Sequence, residues 1–318
     1  MSEAATRGPA ENGLAEDRPA QSTSTDGFGV CSSVAVLRKV AMRRPGAMLT
    51  ADHERWHYTK PLDPVALTAQ YEVFAGLVAA SGAEIHWLPE DDGTGAVDDL
   101  ADSVFTYDPS FGVPGGAVVL RPGKPLRAGE AGLHADFYES AGIPILGRID
   151  VPGLFEGGDC FWLDATTLAV GRGFRTNQSG IDQMAEIVAP LGVTVDAFDL
   201  PYHLGPDACL HLMSVVSVLD DDLALVHAPL MPTALYQRML DMGYALLEAP
   251  AGEFAASLGL NLNVLATAPR QVIAIDGFDG TLALMREAGC EVTTFVGDEL
   301  CIPCEGGPTC LTRPLLRG

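Results

Sequence analysis

Positive charge is scarce in this 318-residue sequence, and long apolar runs are missing. There are 19 Lys and Arg against 42 Asp and Glu, which gives a formal net charge of −23 at pH 7. A surface this acidic repels phosphate backbones and anionic lipid, so we expect neither nucleic acid nor a membrane as a partner. No apolar stretch approaches the roughly 18 residues that a membrane-spanning helix requires.

The sequence also lacks a secretory signal and the cysteine pattern of a disulfide framework. The first 29 residues are polar and rich in Ala, Glu, Ser, Pro and Gly, which predicts a disordered tail over 1–29. The seven cysteines are an odd number, which argues against a fully paired set. We therefore predict a cytoplasmic protein with reduced thiols and a single domain over residues 30–318.

What is present is a repeat of about 50 residues, each unit reading as two strands, a helix and a further strand. Four units follow one another from residue 100, with hairpin turns predicted near 164–166 and 220–222. The strand patterns at 34–46 and 308–316, with the helix at 63–82, are the halves of a fifth unit. Pairing of the two terminal strands would remove exposed sheet edges. The fold class predicted is α/β, a closed five-bladed propeller of ββαβ modules. An ordinary doubly wound sheet is the alternative.

Four polar residues recur at equivalent positions of this repeat. They lie at or near the first strands of successive hairpins and are Asp108, Asp159, His211 and Cys310. The gaps are 51 (159−108), 52 (211−159) and 99 (310−211) residues, the last close to two periods. Equivalent positions of a closed ring converge on its axis, so we expect one central pocket. A cysteine near a histidine and carboxylates is an arrangement that activates a thiolate nucleophile.

Each of these residues also has a purely structural interpretation. His211 stands among apolar residues, where a hydrogen-bonded core histidine is common. Glu156 and Asp159 flank a Gly-Gly bend, where acids often accept backbone hydrogen bonds. Two acids beside one loop would equally suit a bound cation, because buried carboxylates need a positive partner or hydrogen bonds. Cys310 could be an inert buried thiol.

The C-terminal stretch CIPCEGGPTC raises the alternatives of a zinc site or a redox pair. Its candidate ligands are Cys301, Cys304 and Cys310, to which Cys209 and His211 could add. Structural zinc sites usually show two regularly spaced ligand pairs, and the second pair is absent here. A redox Cys-x-x-Cys normally opens a helix, whereas this one runs into glycines. We therefore predict no metal site.

Six segments occur in the order found in the guanidine-modifying enzymes and resemble most the dimethylarginine dimethylaminohydrolases. They are DSVFTYDP, RPGKPLR, FEGGD, RTNQSG, LHLMS and GGPTCL, and they cover most of the chain from about residue 34. The fold of that family is the five-bladed α/β propeller, or pentein fold. Its chemistry implies no metal and no organic cofactor.

The resemblance implies a role for each matching residue. Cys310 would be the nucleophile and His211 the general acid and base. Glu156 would orient the histidine and hold the guanidinium. The residues expected to bind substrate are Asp102 at the α-amino group, Asp108 and the neighbouring Asp159 at the guanidinium, and Arg127 and Arg175 at the α-carboxylate.

The activity implied is hydrolysis of the guanidino group of Nω-methylated arginine or arginine, giving citrulline and an amine through a covalent thiouronium. An amidinotransferase and a catalytically silent arginine-binding protein are the alternatives. Tyr107 stands where the dimethylarginine enzymes carry an acid, and Met213 where deiminases carry an aspartate, so the substrate stays open. The expected partner is a small cationic guanidino compound. The oligomeric state also stays open, with a homodimer as one option.

Overall fold

The structure, a computed structural model, describes residues 27–90, 99–206 and 210–318. These ranges form strands β1 (Leu37–Met42), β2 (Glu84–Trp87), β3 (Ser110–Val113), β4 (Gly116–Val119), β5 (Ile145–Arg148), β6 (Cys160–Asp164), β7 (Thr167–Arg172), β8 (Thr194–Asp199), β9 (Val216–Asp220), β10 (Leu223–Val226), β11 (Ala245–Glu248), β12 (Leu265–Ala268), β13 (Gln271–Ile275), β14 (Glu291–Phe295) and β15 (Arg313–Arg317). The helices are α1 (His53–Trp56), α2 (Pro64–Ala80), α3 (Glu130–Ser140), α4 (Gln178–Val188), α5 (Thr233–Asp241), α6 (Ala251–Ser257) and α7 (Asp279–Glu287).

The strands form five sheets of three, and each sheet is one blade of the ring. In four blades, two strands adjacent in the chain pair antiparallel, and a helix then carries the chain back to a third strand parallel to the second. Parallel neighbours need such a crossover because a tight turn can join only antiparallel strands. The predicted five-bladed α/β propeller of ββαβ modules is confirmed.

The fifth blade closes the ring with the two ends of the chain. β15 pairs antiparallel with β1, and β1 pairs parallel with β2 across α2. The predicted pairing of terminal strands is therefore confirmed. β15 supplies the inner strand of the fifth blade. The hairpin turns predicted at 164–166 and 220–222 also lie where expected, between β6 and β7 and between β9 and β10.

Helix α4 packs against β7 and β8 and buries an apolar stripe. In α4 the side chains of Ile181, Met184 and Val188 are buried at helical spacing, and Ile187 packs against the same cluster from a partly exposed position. Asn177 caps this helix by accepting a hydrogen bond from the backbone of Gly180 at 2.9 Å. The sheets and helices together hold the loops at the ring centre in fixed positions.

The N-terminal tail was predicted over 1–29, and residues 1–26 of it lie outside the described residues. The last of the 29 is engaged with the ring. Gly29 donates to Leu315 at 2.8 Å and accepts from Arg317 at 3.2 Å, both through the backbone. These contacts involve the last residue of the predicted tail, and the tail boundary stays a prediction. None of the helices in the described ranges combines the length and hydrophobicity needed to cross a membrane.

Candidate active site

Each blade contributes one polar side chain just before its innermost strand. These residues are Asp108 before β3, Asp159 before β6, His211 before β9, Asn263 before β12 and Cys310 before β15. Asn263 was missed in the sequence. The 99-residue gap nevertheless indicated a vacant position of the repeat, and Asn263 divides it into 52 (263−211) and 47 (310−263) residues. The convergence predicted for a closed ring thus extends to all five blades.

A cavity of about 50 Å³ lies at this end of the axis, with Cys310, His211 and Asn263 in its wall. Tyr107 and Met213 also line it. The predicted nucleophile and the predicted proton carrier therefore face the same small volume.

Glu156 lies behind His211 and is completely buried. Its Oε2 is 2.6 Å from Nε2 of His211, and its Oε1 accepts from Nη1 of Arg175 at 2.9 Å. Burial alone would raise the pKa of Glu156, but the hydrogen bond with His211 and the positive charge of Arg175 hold it below its usual value. An ionised carboxylate can only accept, so Nε2 of His211 carries the proton. The backbone N–H of His211 donates to Oγ of Ser214 at 3.1 Å, which fixes the loop that carries this imidazole.

The Gly-Gly bend of FEGGD allows this close arrangement. A Cβ on Gly158 would lie 2.4 Å from Nδ1 of His211 and 3.0 Å from Oδ1 of Asp108. A Cβ on Gly157 would lie 2.1 Å from the carbonyl oxygen of Tyr107. Any side chain at either position would push the loop away from the histidine, so the glycines are required by packing.

Asp108 completes a compact group with Glu156 and His211. One ligand atom from each lies within 4.8 Å of the other two, and all three side chains are buried. Asp108 accepts from the backbone of Gly158 at 2.9 Å and from Nη1 of Arg127 at 2.5 Å. Burial works to raise its pKa, yet the charges of His211 and Arg127 hold it below the usual value. Two ionised carboxylates side by side form a site for a cation, whether a guanidinium or a metal ion.

Cys310 is held from two sides by Asn263. Nδ2 of Asn263 donates to Sγ at 2.9 Å, and Oδ1 accepts from the backbone of Thr309 at 3.0 Å. Burial, and then the charge of Asp108, raise the pKa of the Cys310 thiol above its usual value, against smaller opposing effects of Asn263 and His211. The sequence suggested that histidine and carboxylates together would activate the thiolate. In the structure the carboxylate of Asp108 disfavours it.

Asp159, predicted at the guanidinium, is fully buried beneath the loop that carries His211. Its Oδ1 accepts from the backbone of Leu212 at 2.9 Å, and the residue does not line the cavity. Burial raises its pKa to about 6. These contacts favour a positioning role, and a direct contact with substrate stays a prediction.

Asp102 and Arg127 are both engaged with protein groups. Asp102 accepts from the hydroxyl of Tyr58 at 2.9 Å and from Nζ of Lys124 at 2.6 Å. Arg127 is 6% exposed and pairs with Glu130 at 2.7 Å as well as with Asp108. Their predicted roles at the α-amino group and the α-carboxylate therefore require that substrate compete with these ion pairs, and both roles stay predictions. Arg175, predicted to bind the α-carboxylate, is 16% exposed in its side chain and is the more accessible arginine.

The glycines of EGGPTC serve packing against other loops. A Cβ on Gly306 would lie 2.3 Å from the ring of Phe105, and one on Gly307 would lie 2.6 Å from Cγ of Asn263.

Cys301 is buried, and burial raises the pKa of its thiol. Cys209 of the zinc alternative lies outside the described residues.

Known protein families include one whose sequence profile matches more than half of this chain. The sequence profile of arginine deiminase matches residues 81–253, which are 173 (253−81+1) of 318. The chain belongs to the arginine deiminase family. The predicted relationship to the amidinotransferase superfamily is therefore confirmed.

Curated relatives of this arginine deiminase family protein carry different activities in their names. YkgA of Bacillus subtilis, described as uncharacterized, is 27% identical over 91% of this chain and 96% of its own. A dimethylarginine dimethylaminohydrolase of Streptomyces coelicolor is 29% identical over 64% of this chain and 74% of its own. An arginine deiminase of Mycobacterium avium is 28% identical over 91% and 79%.

Solved structures confirm the fold of this arginine deiminase family member. A dimethylarginine dimethylaminohydrolase of Pseudomonas aeruginosa, complexed with citrulline, superposes with a TM-score of 0.69 at 20% identity, covering 88% of this chain and 100% of its own. An amidinotransferase of saxitoxin biosynthesis from Microseira wollei reaches a TM-score of 0.74 at 16% identity, covering 91% and 97%.

Proposed function

We propose that the protein hydrolyses the guanidino group of Nω-methylated arginine, or of arginine itself, through a covalent intermediate on Cys310. The observation that carries the proposal is the single cavity that joins Cys310 and His211, with the carboxylates of Asp108 and Glu156 directly behind them. Curated relatives named as dimethylarginine dimethylaminohydrolase and arginine deiminase support it.

The two carboxylates supply what a guanidinium requires. Its positive charge is spread by resonance over a planar fork, and ionised carboxylates bind such forks through paired, charge-assisted hydrogen bonds. Asp108 and Glu156 are both ionised at neutral pH, because nearby positive charges hold their pKa values low. Holding the positive charge on the nitrogens makes the central carbon more electrophilic. At Asp108 the substrate guanidinium takes the place of Nη1 of Arg127.

Substrate binding also changes the state of the nucleophile. Burial and Asp108 favour the neutral thiol of Cys310. A guanidinium bound at Asp108 neutralises that carboxylate and adds a positive charge beside Sγ, and both effects favour the thiolate. The reactive form is thereby produced with substrate in place.

The bond changes then follow in two halves. The thiol of Cys310 passes its proton to Nδ1 of His211, and the thiolate attacks the guanidino carbon. The C–N bond to the departing nitrogen breaks, and His211 gives that same proton to the amine that leaves. A thiouronium remains on Cys310. His211 next takes a proton from water, the hydroxide attacks the same carbon, and the C–S bond breaks to give the ureido product and the thiol. Glu156 holds the imidazole through Nε2 in both halves.

One side of the cavity wall is apolar enough to accept an N-methyl group. Met213 and Tyr107 contribute a thioether and an aromatic ring to that wall. An N-methyl group loses a hydrogen-bond donor and gains apolar surface, which such a wall accommodates.

A mass-spectrometric product screen tests the proposal. The purified protein is incubated separately with arginine, monomethylarginine, asymmetric dimethylarginine and agmatine. The expected products are citrulline with methylamine or dimethylamine from the methylated substrates and with ammonia from arginine, and Cys310→Ser should abolish them. Cys31→Ser is the matched control, because Cys31 is an exposed cysteine away from the cavity, and it should keep full turnover.

Other outcomes identify the alternatives. If ornithine and a new guanidino compound form, and only when an acceptor amine is added, the reaction is amidino transfer and not hydrolysis. Substrate binding without turnover, together with equal alkylation of Cys310 and Cys31 by iodoacetamide, would indicate a silent binding protein. Preference for agmatine, which has no carboxylate, would contradict the roles given to Arg127 and Arg175.

A further inference from the structure

A second cavity lies on the propeller axis beyond the floor of the active site. Both cavities share Tyr107, Met213, Ser217 and Thr309, which therefore separate them. The second cavity measures about 40 Å³ and is lined by residues of the innermost strands and by the segment 30–33 that passes beneath them. None of the five polar residues at the active-site end lines it.

Two buried arginines on β15 face this cavity. Arg313 is 2% exposed and Arg317 is 8% exposed, and their spacing of four residues puts both on one face of the strand. Arg313 donates to the carbonyl oxygen of Tyr107, and its guanidinium lies over the Tyr107 ring at 3.7 Å from the centroid. Arg317 donates to the carbonyl oxygens of Ala35 at 2.7 Å and Ala266 at 2.8 Å.

Neither arginine has a carboxylate partner among residues 27–90, 99–206 and 210–318. Nε of Arg313 is buried with no hydrogen-bond acceptor in those same ranges. A guanidinium is not deprotonated at neutral pH, and burial lowers the pKa of Arg317 only to about 10. Aromatic rings and carbonyl dipoles offset part of a buried positive charge, whereas buried ions in proteins are normally paired with a full opposite charge.

Arg127 is another buried arginine of this protein, and it is paired with carboxylates. It is 6% exposed, and two carboxylates, Asp108 and Glu130, pair with it. Arg313 and Arg317 therefore depart from the pattern within this one molecule. They do so at a cavity, where a diffusible ion can enter.

We propose that the axial cavity binds a small monovalent anion between Arg313 and Arg317. The volume is about three times the 10–15 Å³ that one water requires, which admits an ion of the size of chloride, bromide or nitrate and excludes larger organic anions. Nε of Arg313 donates to the ion from one side. Ser32 lines the same cavity, and its Oγ accepts from the backbone of Val34 and Ala35 at 3.1 and 2.9 Å, which leaves the hydroxyl proton to donate inward.

Bromide provides the direct test. Crystals of the full chain grown in sodium bromide are measured at the bromine absorption edge. The proposal expects an anomalous peak within about 3.5 Å of Nε of Arg313. An empty cavity under these conditions would overturn it.

Thermal unfolding in solution separates a bound ion from an adventitious one. Bromide is titrated against gluconate at constant ionic strength, since gluconate is too large to enter. One-site binding predicts a saturable rise in Tm of roughly 2–3 °C at ten times the dissociation constant. A linear, non-saturating change up to molar salt would mean an adventitious ion only, even if the anomalous peak appears, and would refute the proposal.

Variants of Arg317 locate the effect. Arg317→Met keeps an unbranched apolar stem and removes the charge, so the saturable bromide effect should disappear. Arg317→Lys keeps a positive charge and should retain a weakened effect. A Met variant with the wild-type bromide response would exclude Arg317 as a ligand. The readout does not depend on turnover, so the outcome is independent of whether the proposed hydrolase activity is found.

Discussion

Asn263 is the side chain through which the structure most directly adjusts the nucleophile. Its Nδ2 donates to Sγ of Cys310 at 2.9 Å, and its Oδ1 fixes the backbone of Thr309 at 3.0 Å. A hydrogen bond to a charged group contributes about 1.5–3 kcal/mol. At about 1.4 kcal/mol per pKa unit, losing it should raise the pKa of Cys310 by roughly 1–2 units. We expect Asn263→Ala to lower kcat near neutral pH by roughly 10–100-fold, because less thiolate is present.

Asn263→Asp separates the two hydrogen bonds. The carboxylate can still accept from Thr309, but it no longer donates to Sγ and it adds a negative charge beside the sulfur. We therefore expect Asn263→Asp to raise the pKa of Cys310 at least as much as Asn263→Ala does. The thermal stability of Asn263→Asp should stay closer to that of the wild type than the stability of Asn263→Ala does.

The assay is the rate of alkylation of Cys310 by iodoacetamide as a function of pH, in a Cys31→Ser background, together with kcat. The inflection of the rate profile gives the thiol pKa. The reasoning is refuted if both variants keep the inflection within about 0.3 unit of the parent, well below the shift expected from the lost hydrogen bond. It is also refuted if Asn263→Asp retains the parental kcat, because the Thr309 contact alone would then explain the role of Asn263.

Three further outcomes are expected. Glu156→Gln should lower kcat by roughly 10²–10⁴-fold in initial-rate assays, because the imidazole loses its ionised partner, and an unchanged kcat would contradict the proton-transfer role. Asp159→Asn should change the pH dependence of unfolding: the folded pKa of about 6 exceeds the roughly 3.9 of an ordinary aspartate, so stability from this group is present at low pH and is lost as pH rises through 6. Between pH 4.5 and 7.5 the variant should lose about 2 kcal/mol less than wild type in urea unfolding, and parallel curves would show that Asp159 does not titrate this way. Arg127→Ala should lower stability by about 3–5 kcal/mol, because it leaves Glu130 and Asp108 buried without their cationic partner. Arg175→Ala should raise KM for arginine substrates and lower stability by less, because Glu156 keeps its hydrogen bonds with His211 and Gly123. Equal stability of the two variants would contradict this distinction.

The fold followed from the sequence because its signals are local and repeated. Each hairpin turn, helix stripe and strand pattern depends on residues close in the chain, and five recurrences of one unit leave few arrangements without open sheet edges. The same periodicity indicated that Asp108, His211 and Cys310 would meet. It also marked the position of Asn263, which was overlooked because an amide among apolar residues carries no chemical signature on its own.

The electrostatic state of the site could not be read in this way. Arg127 looked like a carboxylate anchor from its motif, yet its side chain lies between Asp108 and Glu130, and that depends on how the loop before β3 packs against the segment after β4. Asp159 stands three residues from Glu156 in the chain, but their contacts differ. Glu156 bonds the ring of His211, whereas Asp159 accepts from the backbone N–H of Leu212. The thiol pKa of Cys310 likewise depends on burial and on Asp108, which is 202 (310−108) residues away.

The sequence by itself therefore determined the repeat, the closure of the ring and which residue types gather at its centre, because periodicity and motif order are properties of the chain. Only the tertiary structure decided which charges pair and which thiol is held by an amide. It also decided that Arg313 and Arg317 share a cavity in whose wall the described part of the chain places no acid. Those outcomes depend on distances between side chains from different blades and on the water excluded from between them, and neither quantity is encoded in spacing along the chain.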